Sequence, residues 1–409
     1  MEKVLKPDPD SLRILQLCHK PPRPGRDGGC LAIDALGTGL RALGHRVRIL
    51  SACTHKHPCA EALADAEFVE ATAFEGVEID TRLKPVDAFA SLVSGESYNI
   101  SRFDTPEMEA KLREVLRAQN FDVVVVESLF MAPYLKLIRS LSDALVILRA
   151  HNVEHRIWND LALTTPGLTR RTYLRLLAGQ LENFEISHLN AFDAILAISA
   201  EDAAVFRELG CTVPIEIAPF GVDLSPHFAG TPSPGPLAFH LGAMDWEPNV
   251  RGVRWLLDEV WPLVRLEVPE ARLQLAGKAF PTDFPVPAEE MGIDILGEVA
   301  EAKSLFDSGG VMLIPLLSGS GMRIKAIEGA AAGLPVVSTS IGAEGLSPTP
   351  PFQIADEPEA FAQAIIADMQ SPAKASARGR KARVWAEAHY SNRQIVAKFE
   401  GFCQKTLGL

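Results

Sequence analysis

The sequence predicts an α/β protein made of two Rossmann-like domains, each with a doubly wound parallel sheet. Three observations lead to this prediction. The chain has 409 residues, more than one hydrophobic core usually serves. Strand-like apolar runs alternate with helix-like segments in both halves. Between the halves, residues 218–236 are rich in Pro, Gly and Ser, as in a linker, so the predicted domains are 1–222 and 223–385.

The first half opens with a βαβ pattern. The apolar run at 12–18 is a predicted strand, and the loop HKPPRPGRDGG follows it. Helical spacing begins at Cys30, and residues 45–50 form the next predicted strand. Parallel sheets place ligand loops at the carboxyl ends of their strands, so Gly28 and Gly29 are candidate binding residues.

Buried parallel strands give nearly continuous apolar runs, and the first half contains three more of them. They are FDVVVVES at 121–128, ALVILRAHN at 144–152 and FDAILAIS at 192–199. The second run delivers His151 to a loop at its carboxyl end. That histidine is a candidate site residue, and the alternative is that it only caps the loop.

The same alternation restarts in the second half of the chain. Predicted strands lie at 237–244, 271–278, 293–299 and 311–317, a helix lies at 250–264, and the chain ends in helices that include 355–370 and 374–389.

The stretch after the strand at 311–317 has the features of an anion site. It reads as a Gly-Ser-Gly turn, a helix and a further strand, and the first turn of such a helix offers free N–H groups. Gly321, Lys325 and Glu328 are spaced so that they share one helix face. A lysine can neutralise a phosphate and a glutamate can accept hydrogen bonds from ribose hydroxyls, which together suit a nucleoside diphosphate. The alternative is a surface pair of Lys325 and Glu328.

Composition and charge exclude several classes of protein. A net charge of −12 argues against a nucleic-acid footprint across the surface, and no nucleic-acid partner is predicted. The six cysteines are scattered without a CxxC, which predicts reduced thiols and no zinc site. The polar N-terminus is no signal peptide and no apolar run reaches about 20 residues, so a cytoplasmic protein is expected.

Taken together, GSGMRIKAIEGAAAGLPVVST at 319–339, RAHNVEHRIW at 149–158, APFGVDL at 218–224 and LGAMDWEPNVRGVRWLLDEVWPLV at 241–264 resemble the retaining glycosyltransferases of family 4. The resemblance covers nearly the whole chain. It implies a GT-B fold, in which an N-terminal acceptor domain and a C-terminal donor domain face each other across a cleft. It also implies that the terminal helix, at about 386–409, packs back on the first domain.

The resemblance further implies the reaction. A hexose would pass from a nucleotide-diphosphate sugar of UDP or GDP type to a glycan or lipid-linked acceptor, with retention, in polysaccharide or glycolipid biosynthesis. No cofactor and no metal are expected, because cations and a helix dipole would offset the leaving diphosphate. Two alternatives remain at this point: a nucleotide-sugar 2-epimerase, and a non-catalytic GT-B module that binds a nucleotide-sugar.

The resemblance also assigns roles residue by residue. His151, Lys325 and Glu328 are the expected catalytic residues, with His151 near the transferred sugar and Glu328 on the ribose. The remaining expected donor-binding residues lie in turns at the ends of predicted strands. They are Gly28, Gly29, Gly242, Gly297, Val299, Ser320, Gly321, Met322 and Arg323, in addition to Lys325 and Glu328.

The sequence departs from the family pattern at three positions. Ser320 stands where the first glutamate of the family's E-x7-E motif is expected. Ala243 and Asn249 stand where many members have an arginine and a lysine. We hypothesise that Arg323 and Lys325 supply the missing positive charge from the other side of the site.

The sequence offers four further candidates. His19 and Glu127, each at the end of a predicted strand, are candidates to face the acceptor. His155 is expected on a helix face. The basic amphipathic segment 168–181 is either a peripheral contact with the inner face of the plasma membrane or an ordinary surface helix.

Overall fold

Parallel β-sheets organise both parts of the chain. The computed structural model describes residues 11–25, 27–222, 236–280, 291–299, 302–319 and 322–408. Contacts divide the chain into two units. Unit 1 comprises Met1–Gly221 with Asn392–Leu409, and unit 2 comprises Val222–Ser391.

Unit 1 contains a seven-stranded sheet within the described residues. Its strands are β1 (Arg13–Cys18), β2 (Arg46–Cys53), β3 (Glu75–Glu78), β4 (Val123–Glu127), β5 (Leu145–Ala150), β6 (Ala194–Ala197) and β7 (Ile215–Ile217). Their order is β3-β2-β1-β4-β5-β6-β7, and every pairing is parallel. The winding direction therefore changes between β1 and β4, the point where such sheets open a crevice for ligands.

Helices connect these strands. They are α1 (Gly28–Ala42), α2 (Ala60–Ala64), α3 (Ala66–Thr72), α4 (Pro85–Ser94), α5 (Tyr98–Ser101), α6 (Pro106–Ala118), α7 (Leu135–Leu141), α8 (Glu154–Thr164), α9 (Leu168–Leu189) and α10 (Ala200–Glu208), with a 3-10 helix at Leu129–Tyr134. No element was predicted between residues 51 and 120, where α2 to α6 and β3 lie.

The valine run of β4 shows why this sheet is buried on both faces. Val124 and Val126 pack in one hydrophobic cluster, whereas Val123 and Val125 pack in a second cluster with α1 residues. Since side chains alternate along a strand, a continuous apolar run fills both layers. The prediction of a doubly covered strand at 121–128 is confirmed.

Unit 2 contains a six-stranded parallel sheet within the described residues. Its strands are β8 (Leu237–Leu241), β9 (Arg272–Ala276), β10 (Ile293–Gly297), β11 (Val311–Ile314), β12 (Val336–Ser338) and β13 (Gln353–Ile354), in the order β10-β9-β8-β11-β12-β13. Its helices are α11 (Glu247–Trp255), α12 (Trp261–Glu267), α13 (Ala302–Ser308), α14 (Ile324–Ala331), α15 (Pro358–Gln370) and α16 (Pro372–Tyr390). The winding changes between β8 and β11.

The helix predicted at 250–264 is confirmed as one continuous helical run, in which a π-helical segment, Leu256–Val260, lies between α11 and α12. Pro262 lies in the first turn of α12 and has no N–H to donate to the preceding turn, which explains the change in hydrogen bonding.

The terminal helix α17 (Asn392–Leu407) packs against α1 in unit 1. The Asn392 side-chain amide donates to the carbonyl of Ala35 at 2.7 Å. Gly39 allows this approach, because a Cβ there would lie 2.5 Å from a methyl of Val396. The sequence placed the start of this helix near 386, but α16 continues to Tyr390.

The prediction that all six cysteines are reduced is wrong. A disulfide joins Cys53 to Cys59, whereas the other four cysteines are free and buried. Cys53 ends β2, and a tight turn follows in which the N–H of Thr54 donates to the carbonyl of His57 at 3.0 Å. This turn brings the two thiols together, which spacing alone did not reveal.

Among the residues that the structure describes, no helix combines the length and apolarity needed to cross a bilayer. Most of the predicted linker, residues 223–235, lies outside the described residues.

Candidate functional site

The crevice of unit 1 lies at the carboxyl ends of β1 and β4. His19 follows β1, and its Nδ1 lies 2.7 Å from the carbonyl oxygen of Glu127 at the end of β4. A carbonyl only accepts, so Nδ1 carries the proton. Burial, with the nearby charges of Lys20 and His151, lowers the pKa of His19 to about 3. His19 is therefore neutral at physiological pH, and its Nε2 is an acceptor.

Glu127 is the centre of a buried polar network. Its side chain is fully buried and accepts from Nε2 of Gln16 and from Nε2 of His151, both at 2.8 Å. The guanidinium of Arg149 lies 3.4 Å from the carboxylate and also donates to the carbonyl of Ala32 in α1. Burial opposes ionisation, but Arg149, His151 and Gln16 outweigh it and lower the pKa of Glu127 to about 2.

His151 stands where the sequence placed it, just after β5. Burial lowers its pKa, although the adjacent Glu127 carboxylate opposes this shift. Its Nε2–H donates to Glu127, so the neutral ring has its lone pair on Nδ1. The ring centroids of His151 and His19 lie 6.0 Å apart. Two neutral imidazoles thus share one edge of the sheet.

The amino end of α1 carries the predicted turn of Gly28 and Gly29. Asp27 caps the helix by accepting from the N–H of Cys30 at 2.9 Å, and it also accepts from Lys20 Nζ at 2.7 Å. Gly29 leaves room for the Lys20 side chain, because a Cβ would lie 2.5 Å from Lys20 Nζ. Burial opposes the ionisation of Asp27, but its hydrogen-bonding partners hold its pKa well below the usual range.

Asp27, Cys30 and His57 form a group of three candidate metal ligands whose donor atoms lie within 4.8 Å of one another. The sequence did not indicate this group, since His57 is distant along the chain from Asp27 and Cys30. His57 Nε2 lies 3.0 Å from Asp27, so both carboxylate oxygens have partners. Burial raises the pKa of Cys30 to about 11, which keeps the thiol protonated. Asp27 is therefore a helix cap whose carboxylate also binds the ammonium of Lys20 and the imidazole of His57.

The crevice of unit 2 contains a histidine that the sequence analysis missed. His240 interrupts the apolar run of β8, and its Nδ1–H donates to the carbonyl of Leu313 in β11 at 3.0 Å. It is 4% exposed, and burial lowers its pKa to about 4. The signal in the sequence was a single polar residue at the end of LAFHL.

Glycines allow the carboxyl ends of β8, β9 and β10 to lie close together in unit 2. Gly242, after β8, donates to the carbonyl of Ala276, and Gly277, after β9, donates to that of Gly297, at 2.9 and 2.7 Å. A Cβ on Gly277 would collide with the Gly242 carbonyl, and Gly297 has a φ of +67°. The predicted donor loops at Gly242 and at Gly297 to Val299 therefore lie on either side of the end of β9.

A hydrogen bond joins Asn249 to Ala243, the two positions that lack the family's cations. The Asn249 side chain donates to the carbonyl of Ala243 at 2.8 Å. This hydrogen bond fixes the loop after β8 without placing a positive charge there.

Helix α14 carries Lys325 and Glu328 on one face, close to the end of β11. Desolvation by the surrounding protein lowers the pKa of Lys325, although the side chain as a whole is exposed. Burial raises the pKa of Glu328, which the charge of Lys325 opposes. Within the described residues neither side chain makes a hydrogen bond or a close ion pair, although the charge of each acts on the pKa of the other. The predicted residues Ser320 and Gly321 lie outside the described range.

Arg323 and Met322 precede this helix. The guanidinium of Arg323 lies 5.4 Å from the ring centroid of Trp246, which follows β8. Burial lowers the pKa of Arg323, and Glu344 opposes the shift. Met322 is partly exposed, and its carbonyl lies 3.2 Å from the N–H of Ile324. Both predicted residues thus border the start of α14.

Two other candidates lie in helices, as expected. His155 is in α8, where it is buried, and its Nδ1 lies 2.6 Å from a carboxylate oxygen of Glu185. Residues 168–181 do form a helix, as part of α9.

Comparisons with known proteins place both units in one class of enzyme. The family described as "Glycosyl transferase 4-like domain" matches residues 28–221, and "Glycosyl transferases group 1" matches residues 235–370. The protein is therefore a glycosyltransferase. The chain belongs to the group 1 glycosyl transferases, which confirms the family resemblance.

Solved structures confirm the GT-B fold. Sucrose-phosphate synthase from Thermosynechococcus elongatus is similar with a TM-score of 0.67 and 14% identity, over 97% of this chain and 99% of that chain. HepE from Anabaena, in complex with UDP and glucose, is similar with a TM-score of 0.63 and 12% identity, over 96% and 100%. Pneumococcal O-GlcNAc transferase GtfA, in complex with UDP and GlcNAc, has a TM-score of 0.64 and 11% identity, over 97% and 99%.

One relative is similar at the level of sequence. The 44.6 kDa protein of the cps region of Klebsiella pneumoniae is 27% identical over 278 residues, which are 63% of this chain and 68% of that protein.

Proposed function

We propose that the enzyme transfers a hexose from a UDP- or GDP-sugar to a glycan or lipid-linked acceptor, with retention at the anomeric carbon, in polysaccharide or glycolipid biosynthesis. The observation that carries the proposal is the pair Lys325 and Glu328. Both are desolvated enough to shift their pKa values, they share a helix face, and neither has a polar partner in the described residues. HepE and GtfA, which share the fold, are known with UDP bound.

Each of these residues suits one part of a nucleotide-sugar. The ammonium of Lys325 and the amino end of α14 offset the charge that develops on the leaving diphosphate, without a metal or cofactor. Glu328 accepts hydrogen bonds from the two ribose hydroxyls. The loop at Gly297 to Val299 holds the base through main-chain groups.

The proposed role of His151 is to bind the transferred sugar. Its Nε2–H is fixed by Glu127, so Nδ1 accepts a hydrogen bond from a sugar hydroxyl. Glu127 itself is fully buried and has three donors around it, which makes it unsuited to attack an anomeric carbon. This supports a front-face displacement rather than a covalent intermediate.

A lipid-linked acceptor would bring the enzyme to the cytoplasmic face of a membrane. Leu163, Leu168 and Leu176, in α8 and α9, are exposed by 62%, 79% and 55%. Arg170 and Arg175 are exposed on the same helix as Leu168. Such a surface suits peripheral contact with anionic lipid. Sedimentation with phosphatidylglycerol vesicles, but not with phosphatidylcholine vesicles, would support this part of the proposal; equal sedimentation with both would oppose it.

The experiment that tests the donor site is calorimetric titration of the wild type, Lys325→Ala and Glu328→Gln with UDP and GDP. We expect at least a tenfold loss of affinity for each variant. For Glu328→Gln, 2′,3′-dideoxy-UDP should bind the variant and the wild type equally, because that ligand lacks the ribose hydroxyls. Lys374→Ala and Glu359→Gln, which change exposed groups in the same unit, are matched controls.

Wild-type affinity in both site variants would overturn the assignment of the donor site. The anomeric configuration of the product, read by NMR, tests retention separately, since an inverted product contradicts that part alone.

A further inference from the structure

Four aromatic rings meet at the carboxyl edge of the unit 1 sheet. Phe103 and Phe130 are stacked, with centroids 5.1 Å apart and planes inclined by 21°. The ring of His19 lies 5.8 Å from Phe130 and 6.5 Å from Phe103, and His151 is 6.0 Å from His19. None of the proposed donor contacts uses the two phenylalanines.

The chain holds both phenylalanines in place through their backbone. Ser128, directly after β4, has a φ of 92°, which is unusual for a residue other than glycine. Its N–H donates to the carbonyl of Arg149 at 3.0 Å, and its hydroxyl accepts from the N–H of Phe130 at 3.4 Å. The carbonyl of Phe103 accepts from the hydroxyl of Tyr134 at 2.5 Å. Strained backbone of this kind is commonly retained at ligand sites.

The two rings are not simply part of the core. Phe103 and Phe130 pack against the hydrophobic cluster of unit 1 but remain partly exposed, as does His19. Part of each ring is therefore accessible to a ligand.

The two imidazoles of this surface offer only hydrogen-bond acceptors, and the nearby Lys20 ammonium is held by Asp27. His19 donates from Nδ1 to Glu127, and His151 donates from Nε2 to the same residue, so one unprotonated nitrogen remains on each ring. Neither nitrogen has a hydrogen-bond partner among the described residues. An anionic group would find no donor on these two nitrogens, and an alkyl chain would leave both without a partner. A pyranose ring offers an apolar C–H face and hydroxyl donors together.

We propose that Phe103, Phe130 and His19 form a subsite for a neutral pyranose of the acceptor. The C–H face of the sugar packs on the stacked phenylalanines, and one hydroxyl donates to Nε2 of His19. The proposal rests on the proposed function, because it takes the acceptor to end in a sugar rather than in a bare lipid phosphate. It extends that function by assigning acceptor recognition to a defined aromatic surface.

Saturation-transfer difference NMR tests this subsite without a known acceptor. The probes are methyl pyranosides of glucose, galactose, mannose and N-acetylglucosamine, offered to the full chain without nucleotide. We expect at least one probe to receive saturation, strongest on the C–H protons of one face. Phe130→Ala and Phe103→Ala should weaken its binding at least fivefold, and Phe130→Trp should restore it. His19→Phe keeps a ring but removes the acceptor, so it should weaken binding as well.

The matched control is Phe184→Ala. Phe184 also packs on the edge of the same hydrophobic cluster and stacks on His188, at 3.9 Å, but it lies in α9 and, among the described residues, has no ring contact with Phe103, Phe130 or His19. Its variant should bind the probes as the wild type does, and thermal melts of all variants report folding.

The proposal is overturned if no pyranoside binds the wild type, if the crevice variants bind as the wild type does, or if the Phe184 variant loses binding equally. It is also overturned if only an isoprenyl or alkyl probe receives saturation. UDP binding, measured on the same samples, should be unchanged by Phe130→Ala. If the wild type does not bind UDP, that result counts against the proposed function instead. The two failures are therefore distinguishable.

Discussion

The substitution Glu127→Gln tests whether the buried carboxylate orders the crevice of unit 1. Glutamine keeps the shape of the side chain and removes its charge. Arg149, which is 2% exposed, then remains buried without a counter-charge, and His151 loses a carboxylate acceptor. Activity should fall together with stability, because the ring of His151 is no longer fixed.

The structure gives the size of the stability effect in two ways. The pKa of Glu127 falls from 4.5 to about 2, and at about 1.36 kcal/mol per unit this corresponds to about 3 kcal/mol. Removing one partner of a buried ion pair independently costs about 3–5 kcal/mol. We therefore expect the free energy of opening of unit 1 to fall by about 3 kcal/mol at pH 7.

The pH dependence follows from the sign of the shift. A carboxyl whose pKa is lowered by folding stabilises fully above its unfolded pKa of 4.5, and loses that contribution as the pH falls through about 2. By pH 3.5 the wild type should have lost about 1.4 kcal/mol of it. The gap between wild type and Glu127→Gln should shrink by that amount.

Hydrogen exchange of peptides covering residues 121–151 is the suitable assay, because it reports opening of this sheet separately from unit 2. The double variant Glu127→Gln/Arg149→Met removes both charges and should be less destabilised than the sum of the single variants. A single variant within about 1 kcal/mol of the wild type at all pH values would refute the reasoning.

Three further predictions concern charge, crosslinking and metals. If Arg323 supplies the cation that the loop after β8 lacks, Arg323→Ala should weaken UDP binding at least tenfold. The control Arg380→Ala changes an exposed arginine and should leave UDP binding unchanged. Wild-type affinity for UDP in both Arg323→Ala and Lys325→Ala contradicts the hypothesis. Reducing the disulfide of Cys53 and Cys59 opens a short loop and should cost about 2 kcal/mol of unfolding free energy, and a Cys53→Ser/Cys59→Ser variant should not respond to dithiothreitol. Turnover should survive EDTA; a loss that Mg²⁺ or Mn²⁺ restores would show that the transfer needs a metal.

Much of the fold could be predicted from the sequence because its signals are local. The apolar run of β4 and the turn–helix–strand pattern around α14 each need only a short window of residues. Lys325 and Glu328 were found by helical spacing, and their shared face in the structure follows from the same periodicity.

The contacts that order the site could not be predicted, because they join distant parts of the chain. His57 reaches Asp27 only after the turn that follows β2, and the sequence shows neither the turn nor the disulfide beside it. His240 meets Leu313 through the order of the strands, not through its neighbours in the sequence. A single polar residue in an apolar run does not reveal which strand lies beside it.

The two crevices share the same histidine hydrogen bond but differ in which groups a ligand can reach. In each unit a histidine at the winding reversal donates from Nδ1 to a carbonyl of the neighbouring strand, and burial keeps the ring neutral. In unit 1 the ring of His19 remains partly exposed, so its second nitrogen is available to a ligand. In unit 2 the second nitrogen of His240 is buried with the rest of the ring. Unit 2 therefore suits the proposed nucleotide through its main chain and the charges of α14, whereas unit 1 suits the proposed acceptor sugar through its rings and neutral acceptors.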